Sequence, residues 1–211
     1  MTLDRRELFK RGLGKAVNMA VAEAEQRANE NARHWIRPPY ALDELDFLIK
    51  CTRCGDCIEA CPHDVLFPLP PKRGLQVVST PAMDLLNKAC HLCSDWPCVK
   101  ACSPGALVRP EAAETGGDTE TETVAIPLPR LATASIDTSK CLPYKGPECG
   151  ACADSCPVPN ALVWDGPLPR IDPEYCIGCA MCREVCIVEP KAVVIRHSFH
   201  AEGRREKISG A

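Results

Sequence analysis

Sixteen cysteines in four runs of four constrain this 211-residue chain more than any other feature, because no cysteine lies outside the runs. The runs are Cys51, Cys54, Cys57 and Cys61, then Cys90, Cys93, Cys98 and Cys102, then Cys141, Cys149, Cys152 and Cys156, and last Cys176, Cys179, Cys182 and Cys186. Groups of four thiols either form disulfides or bind metal, and their spacing separates these possibilities.

The first and fourth runs share the spacing C-x2-C-x2-C-x3-C, and Pro62 follows the first run directly. In the bacterial iron–sulfur run with this spacing, three close thiolates bind one [4Fe-4S] cluster and the fourth binds the other cluster of a pair. The second run widens its middle gap to four residues, and the third widens its first gap to seven. Because both keep four cysteines, the sequence predicts four [4Fe-4S] clusters.

Two other uses of cysteine fit this pattern less well. Zinc sites combine two C-x2-C pairs that lie apart in sequence, which leaves the third and fourth cysteine of each run unexplained. A disulfide scaffold is typical of small secreted chains, but cysteines three residues apart suit disulfide geometry poorly. Bare thiolates at this density also indicate a reducing compartment during cluster assembly.

The separation of the runs indicates which of them share clusters. The first and second runs are 28 residues apart and the third and fourth are 19 apart, whereas 38 residues separate the second from the third. We therefore predict that consecutive runs exchange their last cysteine. The predicted ligand sets are Cys51, Cys54, Cys57 with Cys102; Cys90, Cys93, Cys98 with Cys61; Cys141, Cys149, Cys152 with Cys186; and Cys176, Cys179, Cys182 with Cys156.

Short apolar segments flank the runs in a repeating order. Ile136-Asp137 precedes the third run and Ile171-Asp172 the fourth, and apolar segments that begin at Ala106, Ala161 and Ala192 follow the last three runs. Each unit reads as strand, cluster loop, short helix and strand, which is half of a two-cluster ferredoxin. The sequence predicts an α+β fold of tandem two-cluster ferredoxin-like modules with an N-terminal helical extension.

The predicted divisions of the chain follow from this repeat and from composition. They are an N-terminal helical extension (1–40), a first module (41–110), an acidic linker or insertion (111–130), a second module (131–200) and a charged tail (201–211). A chain with twenty prolines and only four phenylalanines has few side chains that can form a large hydrophobic core. We therefore expect the clusters to act as the core of each module and the apoprotein to be largely unfolded.

The net charge and the hydropathy of the chain limit the kinds of partner that it can bind. The formal net charge is −3 with every thiol neutral, and cluster-bound thiolates would make the protein more acidic. This acidic net charge favours basic docking faces on redox partners. The sequence has no basic patch that would bind nucleic acid. No stretch of 18 apolar residues is present, so we expect no transmembrane segment.

The N-terminal residues carry two further signals. Residues 8–34 have the spacing of an amphipathic helix with a weak apolar face, which would pack on its own domain or dock a partner. Arg5 and Arg6, before Leu8 and Phe9, resemble a twin-arginine export motif. No apolar segment of the kind that an export signal needs follows them. We expect a cytoplasmic protein, with export to the periplasm through this motif as the alternative.

Two stretches resemble known families. The segment Arg37-Pro-Pro-Tyr-Ala-Leu-Asp-Glu-Leu-Asp-Phe-Leu-Ile-Lys-Cys-Thr-Arg-Cys54 resembles the opening of NapF-type ferredoxins, accessory proteins of periplasmic nitrate reductase systems. The widened gaps of the second and third runs resemble the NapG and MauM type, so the chain is similar to these polyferredoxins. NapG-type proteins are exported and pass electrons from a membrane quinol-oxidising partner, and the resemblance implies such a partner.

The second run also resembles the second cysteine group of the electron-transfer subunits of molybdopterin oxidoreductases. In that family the two outer runs pair with each other around the two inner ones. This resemblance leaves outer pairing as an alternative to consecutive pairing. Under consecutive pairing, the first run shares its clusters with the second run. Under outer pairing, it shares them with the fourth run.

The sequence supports two possible functions. The first is an electron carrier that takes single electrons from a donor protein and delivers them to a separate redox enzyme. The second, implied by the NapF resemblance, is a maturation or assembly factor for a molybdenum or related oxidoreductase. We expect no catalytic activity, because the chain has no glycine-rich nucleotide fingerprint.

Side chains near the runs have minor expected roles. Trp96, Trp164 and Tyr175 are expected to shield the clusters from water. His91 lies inside the second run and is either a surface imidazole or a hydrogen-bond donor to a cluster sulfur. The other four histidines are His34, His63, His197 and His200, and none of them requires a catalytic role.

Overall fold

One long N-terminal helix, several one- to two-turn helices and short strands make up the described part of the protein, whose computed structural model covers residues 5–110 and 126–197. The α-helices of this part are α1 (Arg5–Ala32), α2 (Glu44–Lys50), α3 (Asp56–Glu59), α4 (Pro97–Lys100) and α5 (Met181–Glu184), and Pro71–Arg73 and Leu142–Lys145 form short 3-10 helices. The strands are β1 (Leu66–Pro68), β2 (Pro81–Met83), β3 (Ala132–Ile136), β4 (Leu162–Asp165), β5 (Leu168–Ile171) and β6 (Val193–His197). Most of the predicted acidic linker and the whole predicted tail lie outside the described residues.

Strand pairing follows the same order in residues 36–108, the first half, and in residues 131–197, the second half. In each half, the segment between two cysteine runs forms an antiparallel pair, β1 with β2 and β4 with β5. The segments outside the two runs also pair antiparallel, β3 with β6 in the second half and a single bridge from Ala41 to Leu107 in the first. This pairing brings the two runs of each half side by side.

One-turn helices carry the third cysteine of the first, second and fourth runs. The residue before each of these helices is left-handed, with φ of 91° at Gly55, 48° at Trp96 and 69° at Ala180. The fourth cysteine of each of these three runs follows the helix after one capping residue. The left-handed residue therefore turns the chain between the second and the third cysteine of each of these runs.

The buried core extends through both halves. Phe47 and Leu85 of the first half and Ile177 and Val193 of the second belong to one continuous cluster of buried side chains. The buried cysteines of this cluster are Cys57, Cys61, Cys90, Cys98, Cys179 and Cys182. Because the protein has few large apolar side chains, these thiols make up a substantial part of its buried interior.

Helix α1 joins the rest of the molecule at its C-terminal end. Ala32 and Trp35 are buried there against Leu69 and Val77, and α1 packs on α2. Earlier in the helix, apolar side chains such as Met19 are exposed. In the part of the chain that the structure describes, no helix is long and apolar enough to cross a membrane.

A buried ion pair fixes the approach to the first cysteine run. The Arg37 guanidinium donates to both carboxylate oxygens of Glu44, with Nη2–Oε1 at 2.6 Å and Nε–Oε2 at 2.9 Å. Its Nη1 donates to Thr80 Oγ1 at 2.9 Å and to the carbonyl oxygen of Pro81 at 2.8 Å. The guanidinium carbon also lies 4.4 Å from the Phe47 ring centre. One side chain therefore joins α2 to β2, within the stretch that resembles the NapF opening.

Candidate iron–sulfur sites

The first site is a cavity of about 320 Å³, including space open to solvent, lined by Cys51, Cys54, Cys57 and Cys102. The first three thiols come from the first run, and the fourth closes the second run. The backbone amide of Leu107 donates to Cys102 Sγ at 3.4 Å. Cys54 is exposed whereas Cys57 is buried, so this site has one edge at the surface.

The second site is a cavity of about 340 Å³ lined by Cys90, Cys93, Cys98 and Cys61. Its last cysteine comes from the first run, which completes the exchange between the two runs. Trp96 lines the cavity and is only 4% exposed. The buried indole therefore forms part of the wall of this site.

The third site is a cavity of about 380 Å³ lined by Cys141, Cys149, Cys152 and Cys186. Trp164 also lines it, and its Nε1 is buried with no hydrogen-bond partner among the described residues. A buried indole N–H normally finds an acceptor. A sulfur atom held in this cavity would supply one.

The fourth site joins Cys156 of the third run to the first three cysteines of the fourth run. Burial raises the pKa of Cys182 to about 12, and the nearby thiols of Cys179, Cys176, Cys152 and Cys156 contribute to this rise. The thiol of Cys156 likewise raises the pKa of Cys176 and of Cys179. The four thiols are therefore close enough to interact electrostatically.

The thiols are grouped as consecutive pairing predicts. Each of the four sites takes three cysteines from one run and the last cysteine of the neighbouring run in the same half. Outer pairing would bring Cys51 together with Cys186, but these residues line different cavities. The structure does not support outer pairing.

Burial governs the protonation of these thiols. It raises the pKa of Cys57, Cys90 and Cys182 to about 12 and that of Cys98, Cys152 and Cys179 to about 11. Backbone amides that donate to sulfur act in the opposite direction, as the amide of Leu92 does at Cys90. Because a metal binds the thiolate, occupation of a site must release protons and overcome this burial cost.

Thiols of neighbouring sites also lie near enough to influence each other electrostatically. Cys98 of the second site raises the pKa of Cys57 in the first. Cys179 of the fourth site raises that of Cys90 in the second, and Cys152 of the third site raises that of Cys182 in the fourth. The order of the sites in space is therefore first, second, fourth and third.

The two aspartates of the repeated I-D-x3-C motif have a structural role. The Asp137 carbonyl accepts from the amide of Cys141 at 3.0 Å, and the Asp172 carbonyl accepts from the amide of Cys176 at 2.9 Å. The Asp137 carboxylate also accepts from the amide of Ser139 at 3.0 Å. These turns fix the direction in which the chain enters the third and fourth runs. The repeated I-D-x3-C motif is the sequence pattern that indicates them.

The remaining candidate side chains lie around the sites. His91 Nε2 is 3.2 Å from Glu184 Oε2, and its ring stacks on His63 at 3.9 Å between centroids. The imidazole is 34% exposed and also lines the second cavity, so it has both the exposure of a surface histidine and a place beside the second site. Tyr175 is 48% exposed, so much of its side chain faces solvent.

The four donor sets fit [4Fe-4S] clusters in their chemistry. Four thiols surround each of the three cavities, and the walls between them are mainly apolar. Within residues 5–110 and 126–197, no group of three or more His, Cys, Asp or Glu side chains is arranged around a single metal ion. Thiolates on one zinc ion lie about 4 Å apart, whereas a cluster binds each thiolate through a different iron atom.

Comparison with protein families agrees with this chemistry. Residues 49–67 match the family described as 4Fe-4S binding domain. This segment holds the first run and the start of β1. No solved structure matches the chain.

Curated relatives cover most of the chain. It is 31% identical over 200 residues to the ferredoxin-type protein NapG of Escherichia coli, which covers 89% of this chain and 81% of that protein. It is 30% identical over 227 residues to the methylamine utilization ferredoxin-type protein MauM of Methylorubrum extorquens, with 98% and 95% covered. The ferredoxin-type protein NapF of Escherichia coli is 30% identical over 81% of this chain and 89% of its own length. The chain therefore belongs to the family of NapG, NapF and MauM ferredoxin-type proteins.

Proposed function

We propose that this protein binds four [4Fe-4S] clusters through its sixteen cysteines and carries single electrons between separate redox partners. The observation that supports this proposal most strongly is the grouping of the thiols into four sets of four, each drawn from two runs. The two halves with their repeated strand pairing would each be one two-cluster module. When bound, such clusters accept and release one electron each.

The chain's own residues would set the conditions for this chemistry. The cysteines hold iron, and buried side chains such as Phe47 and Trp96 keep water away. Backbone amides donate to sulfur, as the amide of Leu107 does to Cys102. Burial and hydrogen bonds to sulfur are the means by which a protein sets a cluster's potential.

Metal analysis tests the proposal directly. We expect about sixteen iron atoms and as much acid-labile sulfide per chain, four of each per cluster, together with an EPR signal in the reduced protein. Two to four zinc ions with no iron would overturn it. The protein should be purified without oxygen, so that loss of clusters during handling is not mistaken for their absence.

The partners we propose are a donor protein and a separate redox enzyme as acceptor. The NapG resemblance points to a membrane quinol-oxidising subunit as donor and a nitrate reductase-like enzyme as acceptor. Donor-dependent reduction of all clusters, on the timescale of enzyme turnover, is the expected result. Reduction that is much slower than turnover would contradict the carrier role.

Serine substitutions test which runs share clusters. We expect Cys102→Ser to alter the same EPR signal as Cys51→Ser, because both thiols line the first site. Cys186→Ser serves as the matched control and should alter a different signal, since Cys186 lines the third site. If Cys186→Ser instead reproduced the effect of Cys51→Ser, consecutive pairing would be wrong.

The unpartnered indole of Trp164 leads to a prediction for the third site. Trp164→Phe keeps an aromatic wall but removes the N–H, so the reduction potential of the third-site cluster should fall. One hydrogen bond of about 1 kcal/mol corresponds to roughly 40 mV for one electron. EPR-monitored redox titration measures this shift. Tyr144→Phe is the control, because the Tyr144 hydroxyl donates to the carbonyl of Pro169 at 3.0 Å and its loss should leave the potential unchanged.

A role in maturation is the second candidate, and the exposure of α1 favours it. Apolar side chains on this helix, among them Val17 and Met19, are exposed and offer a surface for another protein. A maturation factor should bind the cofactor-free form of an oxidoreductase in preference to the mature form. Removal of residues 1–34 should then abolish binding, whereas an electron carrier should show no preference for the cofactor-free form.

For the compartment we propose the cytoplasm, with the periplasm as the alternative. The observation behind the alternative is the pair Arg5 and Arg6 near the start of the chain. A reporter that is active only after export, fused behind residues 1–40, should stay inactive. If its activity appeared and depended on Arg5 and Arg6, the periplasm would be correct.

A further inference from the structure

We infer that Arg183 and Glu184 are positioning residues that hold the second cysteine run against the fourth and so make one defined junction between the halves. The inference rests on the proposed function, because the junction matters only if both sites bind clusters. Both residues lie on α5, between two cysteines of the fourth run. Their contacts reach across to the first half.

The junction begins with direct contact between the two runs. The backbone amide of Cys90 donates to the carbonyl oxygen of Cys179 at 2.9 Å. The two thiols are also near enough for Cys179 to raise the pKa of Cys90. Among the electrostatic interactions between thiols of neighbouring sites described above, this one joins a site of the first half to a site of the second.

Glu184 binds both sides of Cys90. Its Oε1 accepts from the backbone amide of Ala89 at 3.0 Å, and its Oε2 lies 3.2 Å from His91 Nε2. The carboxylate therefore holds the residue before Cys90 and the residue after it. A loop fixed on both sides of a ligand cannot turn that ligand away from its neighbour.

Arg183 holds the same loop from a second direction. Its Nε donates to the carbonyl oxygen of Leu86 at 2.9 Å, and its Nη1 donates to the carbonyl oxygen of Val193. The guanidinium thus ties the segment before the second run to β6. Together the two side chains of α5 make three hydrogen bonds or ion-pair contacts with the first half, through Leu86, Ala89 and His91.

The chemistry of electron transfer gives this placement its importance. The rate of single-electron tunnelling falls steeply with distance, so the closest pair of sites between the halves sets the rate at which electrons cross. In that step one cluster is oxidised and the other reduced, with no bond made or broken. Apolar packing also holds the halves together, so loss of these polar contacts should loosen the junction without unfolding either half.

The test compares variants that remove the contacts with one that keeps them. The double variant Arg183→Met, Glu184→Ala loses all of the contacts with Leu86, Ala89 and His91. Glu184→Gln keeps an oxygen to accept from Ala89 and an amide that can bond to His91. Glu189→Ala removes a neighbouring carboxylate that is 77% exposed and 4.0 Å from Lys191, and controls for the change of surface charge.

Two readouts are needed, each independent of electron-transfer activity. EPR of the fully reduced protein reports the magnetic interaction between clusters of the second and fourth sites, and hydrogen exchange reports protection of the Ala89 and Cys90 amides. We expect the double variant to lose the interaction and the protection while its iron content stays at the wild-type value. Glu184→Gln and Glu189→Ala should retain both.

The outcomes separate the junction from the proposed function. A wild-type protein without iron would overturn the proposed function itself. A double variant with full iron content, unchanged magnetic interaction and unchanged amide protection would overturn the junction alone. Loss of iron in the double variant at the second and fourth sites together would also contradict it, because the contacts would then be needed for cluster binding rather than for placement.

Discussion

Replacement of Gly178 by alanine is expected to destabilise the second half strongly, because the backbone of β3 occupies the space that the added methyl group needs. Gly178 lies in the fourth run with φ of 72°, and an added Cβ would lie 2.1 Å from the carbonyl oxygen and 2.7 Å from the Cα of Ala132. These are backbone atoms, and no side-chain rotation relieves the clash. The adjacent bond from the Leu131 amide to the Ile177 carbonyl, 2.8 Å long, holds β3 in place.

The expected cost is roughly 3 kcal/mol or more, from the left-handed backbone together with overpacking. The temperature at which visible absorbance is lost on heating reports this destabilisation, because the clusters proposed for the third and fourth sites should be released first. Gly166→Ala is the matched control. Gly166 has φ of 57° with no atom within 4 Å of the new Cβ, so we expect a cost of only about 1–2 kcal/mol. Equal effects of the two substitutions would contradict the close approach to Ala132.

Loss of the buried Arg37 charge is expected to destabilise the first half by about 3–5 kcal/mol, because Arg37→Ala leaves the Glu44 carboxylate buried without its partner. The side chains of Arg37 and Glu44 are 10% and 4% exposed. Thr80 and Pro81 would also lose a donor. Arg37→Lys should not restore stability, since one ammonium cannot replace the forked contacts of a guanidinium.

The control for burial is the pair Arg27 and Glu23 on α1. Its N–O distance is also 2.6 Å, but its side chains are 74% and 64% exposed. We expect Arg27→Ala to cost at most about 0.5 kcal/mol, as is typical of exposed helical pairs. Thermal release of the cluster proposed for the first site is the measurement. If Arg37→Ala and Arg27→Ala shifted it equally, the contacts of Arg37 with α2 and β2 would not be what stabilises this half.

The spacing within each run was sufficient to predict which three cysteines share a site, because that part of the ligand pattern is local in sequence. The run that supplies the fourth cysteine remained open between consecutive and outer pairing, and the structure was needed to separate the two schemes. The antiparallel segments around the runs also followed from short apolar stretches, although the segment at Ala106 forms only a bridge from Ala41 to Leu107. The helix of the Arg37–Cys54 stretch begins at Glu44, where an acidic residue occupies the first turn. These features depend on neighbours in the chain.

Contacts between distant segments could not be predicted in this way. The ion pair of Arg37 with Glu44, the approach of Gly178 to Ala132 and the contacts of Glu184 with the second run depend on how the elements pack. In the sequence, nothing distinguishes Gly178 from the other glycines in loops or Glu184 from the other acidic residues. Their roles become visible only when the carbonyl or amide opposite them is known.

The spatial order of the sites has a consequence for how proteins of this layout can diversify. The third run is internal in the sequence, yet its site lies at one end of the series, beyond the fourth. The seven-residue gap after Cys141 therefore borders a terminal site, where Tyr144 and Ile187 are exposed. Changes of length or composition in this gap can alter the surface offered to a partner while the junction between the halves, at the middle of the series, stays unchanged.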